Sequence, residues 1–563
     1  MAEFPTRLVL VMGGGVSLGS YAAGALTELF YALGQAAKRD GVPAAQIDVV
    51  TGASAGAMSA AVFARALTAD PATIRQLHEA WVRRISIDEL TKRQPQGFDP
   101  LALLSAAVID TIATDVLTTP EHYDWRPFCN VPLRFAFTLT NIGGLTYPLS
   151  YANDPDRFFS TRLHSDHARF RIDPSAPPDV DLWDRVRRTA IASGAFPGAF
   201  PPRRITRARD DYRETTLWPG RPGEPHDMWY IDGGVLDNEP LGLARSLVDE
   251  DPQHQHNDYR YLLIDPYLNP ADSPYPGPET LGAAVGGLAR AILGESTAKD
   301  WIRANKVNWR VGILEDFVRD HLRPLVMAIA ASAGDTGTGI LGTLDDTALR
   351  ISEFKVGVNQ RGSPAATDVR VFLERDLGRI ANDPRFEPSV RDLGPGTRRA
   401  MLQAIFILES FAGLRNKERM PLYLIAPGAA RHGEHPRDVV EEHPLAGDFL
   451  YNFGGFFREE WRQHDFLCGR RDAHAVLARD LRAGDGSQLL DYPPEPGVDY
   501  DPKPIRVGPK DLSKKEREKF RDYFKDRFEP ILDPHLPFLA RPFKGTIAKI
   551  LANRAVTQIG IEM

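Results

Sequence analysis

Cysteine is nearly absent: the 563 residues hold only Cys129 and Cys468. Two cysteines build neither a disulfide framework nor a cysteine-rich metal site, and they suit a reducing compartment. A basic excess is missing as well. Lys and Arg number 68 against 75 Asp and Glu, a net charge of −7, so the electrostatic footprint of a nucleic-acid binder is not there. No apolar run reaches the ~18 residues that cross a bilayer, so any membrane contact is expected to be peripheral. The opening "MAEFPTRLVLVMGGG" offers one Arg and a short apolar run before its glycines, too little for a secretory signal. A cytoplasmic location is the expectation. No internal repeat is visible. Oligomeric state has no signature.

What remains is ordinary in bulk, with 43% hydrophobic and 25% charged residues, as in soluble globular proteins. The length allows more than one domain, or one with long insertions. A first strand reads from about Arg7 to Met12, and "GGGVSLG" opens a helix. "IDVVTG" is a second, β-branched strand, followed by the Ala-rich helix "AGAMSAAVFARAL". Helical stretches follow near 71–85 and 100–116. "VPLRFAFTLTNIGG" alternates as a strand, "VDLWDRVRRTAIASGAFPGAFPP" is a helix ending in a Gly/Pro loop, and "MWYIDGGVLDNEP" and "YRYLLIDPY" are strands. Strands alternating with helices predict an α/β fold with a mostly parallel sheet flanked by helices. After about residue 276 helical patterns dominate, with Leu281, Val285, Leu288 and Ile292 on one face. "SAGDTGTGILGTLDD" looks flexible, "RMPLYLIAP" is one more strand, and a Pro-rich linker precedes a last helix from Ser513 with Glu516 as its capping box.

Three short motifs carry chemistry. Gly52-Ala53-Ser54-Ala55-Gly56 sits between a strand and a helix. A sharp turn there lifts a serine out of the sheet, and small flanking residues let the backbones pass. The plainer reading is a glycine-lined turn with a capping serine. Gly13-Gly14-Gly15 follows the first strand, and successive glycines can aim N–H groups at an oxyanion or a phosphate. A dinucleotide fingerprint would need Gly where Leu18 stands. Asp232 ends an apolar strand before Gly233-Gly234, at the sheet edge where α/β sites lie; the plainer reading is an Asx-turn. The 14 histidines fall in no local motif.

In that order, "GGGVSLG", "GASAG" and "DGG", with "ASGAFPGAFPP" at 192–202 as a fourth element, resemble the patatin-like phospholipases, or acyl hydrolases, over about residues 7–270. The resemblance implies a patatin-like three-layer α/β/α fold and a serine lipid acyl hydrolase that works through a Ser-Asp dyad and an acyl-enzyme, without cofactor or metal. Ser54 would be the nucleophile and Asp232 its base. Gly13, Gly14, Gly15 and Ala55 would form the oxyanion hole, framed by the motif glycines Gly52, Gly56, Gly233 and Gly234. Leu18 departs from the family's frequent Arg or Lys, and Asn141 from a frequent Asp. The segment "FGGFFREEWRQHDFLCGRRDA" is similar to tails of bacterial patatin-related proteins and is expected to carry no chemistry. The domain reading is 1–275 catalytic, 276–495 a helical extension serving as lid or groove wall, and 496–563 linker and C-terminal helix. Acyl transfer on the same dyad, or lipid binding without catalysis, are the alternatives. The last helix, with Phe520, Phe524 and Phe528 on one face, either packs on the domain or anchors to lipid.

Overall fold

The structure, a computed structural model, describes residues 5–93, 99–151, 154–177, 179–212, 217–221, 223–251, 257–267, 299–331, 335–359, 366–415, 417–429, 445–505 and 507–532. The face of Leu281, Val285, Leu288 and Ile292, the boundary near 275 and the side chain of Phe528 lie outside the described residues. The chain divides into two compact units. One comprises 1–149, 159–300 and 421–563; the other comprises 150–158 and 301–420.

The first unit is built on one mixed sheet. Its strands are β1 (Thr6–Met12), β2 (Ala45–Gly52), β3 (Cys129–Tyr151), β4 (Asp154–Ile172), β5 (Arg203–Arg207), β6 (His226–Asp232), β7 (Tyr259–Ile264) and β8 (Leu422–Ile425). The order is β5-β6-β3-β2-β1-β7-β8, with β4 paired to β3. From β3 to β8 the strands run parallel. β6 is antiparallel to both β3 and β5. "RMPLYLIAP" thus forms the edge strand β8, beside β7.

Both sheet faces are covered, which is why β1 and β7 read as continuous apolar runs rather than alternating ones. Leu8, Leu10 and Met12 join a core with α1 (Gly19–Asp40) and α2 (Ala55–Thr68). Val9 and Val11, equally buried, point the other way. On that side Thr51 donates to the Pro240 carbonyl at the start of the next helix, Leu241–Val248. The fold is therefore a three-layer α/β/α arrangement, as the strand-helix alternation predicts. α3 (Ala107–Val116) and α4 (Leu182–Ser193) complete the first layer, and α5 is Leu241–Val248.

The second unit is helical. α6 (Lys299–Phe317), α7 (Arg323–Ala331), α8 (Asp335–Asn359), α9 (Ala366–Ala381) and α10 (Pro395–Ala412) provide it, with Val311, Leu373, Leu377, Ile405 and Phe406 in its core. The flexible-looking "SAGDTGTGILGTLDD" is corrected here: from Asp335 it is helix. The glycines in that stretch lower helix propensity, but Leu344 and Ala348 join the core of this unit, and tertiary packing overrides propensity.

The chain then returns to the first unit. α11 (Glu459–Ala475) lies along α1 at backbone distance. A Cβ on Gly24 would stand 2.0 Å from the Phe466 carbonyl oxygen, and one on Gly469 2.0 Å from that of Tyr21. Beside this crossing, buried Arg470 bonds Glu28 at 2.6 Å. Finally, α12 (Lys514–Leu532) starts at the expected capping box, Ser513 and Glu516 exchanging backbone bonds.

Candidate active site

Ser54 sits two residues after the end of β2 and immediately before α2, with φ +53° and ψ −128°. A residue bearing a side chain is strained there, and such strain needs close surroundings to hold it. The motif glycines provide them. A Cβ on Gly56 would lie 2.5 Å from the Gly13 carbonyl oxygen and 2.6 Å from that of Met12; one on Gly52 would strike Ala57. The Ser54 N–H donates to Ser193 Oγ at 2.9 Å.

Ser54 Oγ donates to Asp232 Oδ2 at 2.6 Å. Asp232 ends β6, is 2% exposed, and its Oδ1 accepts the Gly234 N–H at 2.8 Å. Burial pushes its carboxyl up to about 7, against the lowering effect of the Ser54 and Gly234 hydrogen bonds. Gly233 is wedged against the Thr138 carbonyl of β3, which fixes the turn. Among the described residues, the hydrogen-bond partners of Ser54 and Asp232 include no histidine.

The glycine loop lies against the serine: a Cβ on Gly14 would come within 2.8 Å of Ser54 Cβ. Its N–H groups are not all alike. Gly13 N donates to the Ile264 carbonyl at 2.9 Å, and Gly14 N to Asn238 Oδ1 at 3.1 Å. Those of Gly15, Val16 and Ala55 meet no protein acceptor among the described residues. Val16 shares the strained backbone, at φ +51°.

Several contributions to the site escaped the sequence reading. Asn238 also crowds Gly234, so one amide side chain ties the glycine loop to the aspartate turn. The end of α4 and the segment after it do more than resemble a family element: Ser193 holds the Ser54 N–H, the Ala195 carbonyl accepts from Asp232 N at 3.0 Å, and Phe196 and Phe200 line the space beside the serine. The "FGGFF" segment, expected to carry no chemistry, brings Phe456 to the same side of Ser54. Its turn is clamped to the loop by Ser17, whose Oγ donates to Asn452 O at 2.5 Å and accepts from Gly455 N at 3.1 Å. Arg462, 2% exposed, donates to the carbonyls of Val82, Gly455 and Phe456, and burial lowers its pKa to about 10. Leu18 is buried as well, where a Cβ on Gly447 would meet it at 3.0 Å. An apolar side chain, not a cation, belongs under that turn.

The structure thus places a strained serine at a strand-to-helix turn and bonds it to a carboxylate across a mostly parallel sheet. Residues 10–245 match the family model "Patatin-like phospholipase", which assigns a patatin-like phospholipase domain to this part of the chain. Residues 385–485 match a second model, "Protein of unknown function (DUF3376)". The "Uncharacterized protein y4iI" of Sinorhizobium fredii (strain NBRC 101917 / NGR234) is 23% identical over 370 residues, 50% of this chain and 52% of that protein. The chain thus spans about half the length of this curated relative. The crystal structure of VipD from Legionella pneumophila aligns over 74% of this chain and 93% of its own, at 12% identity and a TM-score of 0.23.

Proposed function

We propose that the protein cleaves carboxylic esters of lipids through a Ser54–Asp232 dyad and an acyl-enzyme. The observation that carries this reading is the 2.6 Å bond between Ser54 Oγ and buried Asp232. Above about pH 7 the carboxylate is ionised and accepts the serine proton as Oγ attacks the ester carbonyl. The oxyanion then forms beside the N-terminus of α2, where partial positive charge favours it. Of the four donors expected, Gly15 and Ala55 are the ones we assign to the oxyanion, because Gly13 and Gly14 already bond within the protein and hold the loop in shape. The proton passes from Asp232 to the departing alcohol, and water, activated by the same carboxylate, releases the acid. Residues 1–275 hold this chemistry in our reading, with help from the returning chain.

The test is turnover of 4-nitrophenyl butanoate. Ser54→Ala and Asp232→Ala are each expected to lower kcat by about a thousandfold or more while thermal melts show folded protein. A folded Asp232→Ala protein with near-normal turnover would refute the dyad.

A further inference from the structure

Beside Ser54 lies a small apolar slot, which Val16 of the glycine loop also lines. Met58, Trp81, Ile109, Phe200 and Phe456 form its other walls. Behind Met58 the lining continues as a second chamber with Val62, Ile112 and Ile191, and the two spaces share Met58, Trp81, Ile85 and Ile109. Their free volumes are about 20 Å³ and about 40 Å³, room for no more than a few waters at the ~10–15 Å³ that each needs. Both spaces are therefore small, and a chain of more than a few carbons enters only if a lining side chain moves. Met58 packs against Gly194, where a Cβ would stand 2.3 Å from its Cε. An unbranched, rotatable side chain of this kind yields to a ligand more cheaply than a ring or a β-branched residue. The walls are stiffer. The Trp81 indole donates to Ser59 at 2.9 Å, and its ring rests on Gly19. It sits in a π-helical turn, Glu79–Arg84, whose Val82 carbonyl accepts from Arg462. The same guanidinium holds the Gly455 and Phe456 carbonyls. Phe456 is further braced by Phe453, which packs edge-on to Phe196 at 5.7 Å.

We propose that this slot is the acyl-chain site, that it admits one unbranched chain threaded past Met58, and that Phe456, supplied from the stretch matching the family of unknown function, is a specificity-determining wall. The proposal rests on Ser54 being the nucleophile. A slot with no charged lining beside the reacting oxygen rejects head groups and accepts hydrocarbon. Phe456 and Phe200 line the same small space as Ser54, so a branch at the first carbons of the acid would press against these rings. Arg462 acts as a positioning residue, tying one wall to the other through backbone carbonyls.

The experiment compares kcat/KM of the full chain on 4-nitrophenyl dodecanoate, butanoate and 2-methylpropanoate. Ile112→Trp fills the far chamber and is expected to lower the dodecanoate-to-butanoate ratio at least tenfold. Phe456→Ala is expected to raise the 2-methylpropanoate-to-butanoate ratio at least fivefold. Met58→Ala, which only removes atoms, is expected to raise the dodecanoate-to-butanoate ratio and serves if Ile112→Trp does not fold. Unchanged ratios in the folded variants would overturn the proposal while leaving the dyad in place. A separate measurement needs no chemistry: displacement of a fluorescent fatty acid by dodecanoate from Ser54→Ala, expected to weaken at least tenfold when Ile112→Trp is added. If no ester is hydrolysed but this binding and its loss are seen, the nucleophile reading fails and the slot stands. If the Ser54→Ala protein binds no dodecanoate, the slot reading fails.

Discussion

Asp232 is where pH acts on both activity and stability. Its carboxyl titrates near 7 in the folded protein against an ordinary 3.8. Between those values the unfolded chain has lost the proton that the folded one keeps, so stability falls as pH rises from about 4 to about 7. Asp232→Asn cannot lose that proton. It is expected to melt higher than the wild type at about pH 8, with the gap gone at about pH 4, read from melting curves across pH. Activity has the opposite slope: kcat/KM on a short ester should climb with a midpoint near pH 7. Asp237, raised to about 7 by burial and by Asp300, titrates in the same window, so the asparagine variant is what assigns the stability effect. Two further residues have one tolerable identity. Gly56→Ala drives a methyl onto two carbonyl oxygens and is expected to cost ~1–3 kcal/mol by overpacking. Arg462→Met leaves three buried carbonyls short of a donor, at ~1–3 kcal/mol for each left unsatisfied; denaturant titration measures both.

At the scale of elements, much was legible because the signals are local. A β-branched run, a small-residue turn and an Ala-rich helix placed Ser54 at a strand-to-helix junction, and "YIDGG" placed Asp232 at a strand end. Neither Phe456 nor Arg462 carries such a signal; their roles arise from the long-range docking of α11 and its preceding turn. The last helix shows the same limit. Its aromatic stripe reads as an anchor or a packing face, and the acids interleaved with its basic residues favour packing. In the structure Phe520 meets Phe457 at 5.3 Å and Phe524 at 4.6 Å, over a patch with Phe449, Trp461 and Leu512, and Tyr523 bonds the Leu103 carbonyl. Phe520→Ser with Phe524→Ser is therefore expected to lower the melting temperature by several degrees, on the scale of ~2–4 °C per kcal/mol, with binding to anionic vesicles unaltered in the protein that stays folded.

The first unit as a whole is assembled from three stretches of chain, and the last of them is not an appendage. β8 extends the sheet, α11 covers α1, and the turn before α11 walls the serine. Among the described residues no helix is long and apolar enough to cross a membrane. A fragment ending at residue 275 would expose the α1 face that α11 buries, together with Glu28 stripped of Arg470. It is expected to be insoluble or inactive on the butanoate ester, whereas the full chain turns it over; expression and assay of both decide this.

The meeting of Glu28 with Arg470 spans 442 residues of sequence. A ribosome adding roughly 5–20 residues per second needs on the order of 20–90 s to deliver the second after the first. Throughout that interval α1 has no partner for its glycine seam, and Ser54 has no Phe456 beside it. The chain thus leaves the ribosome with the wall beside Ser54 unfinished until the closing stage of synthesis.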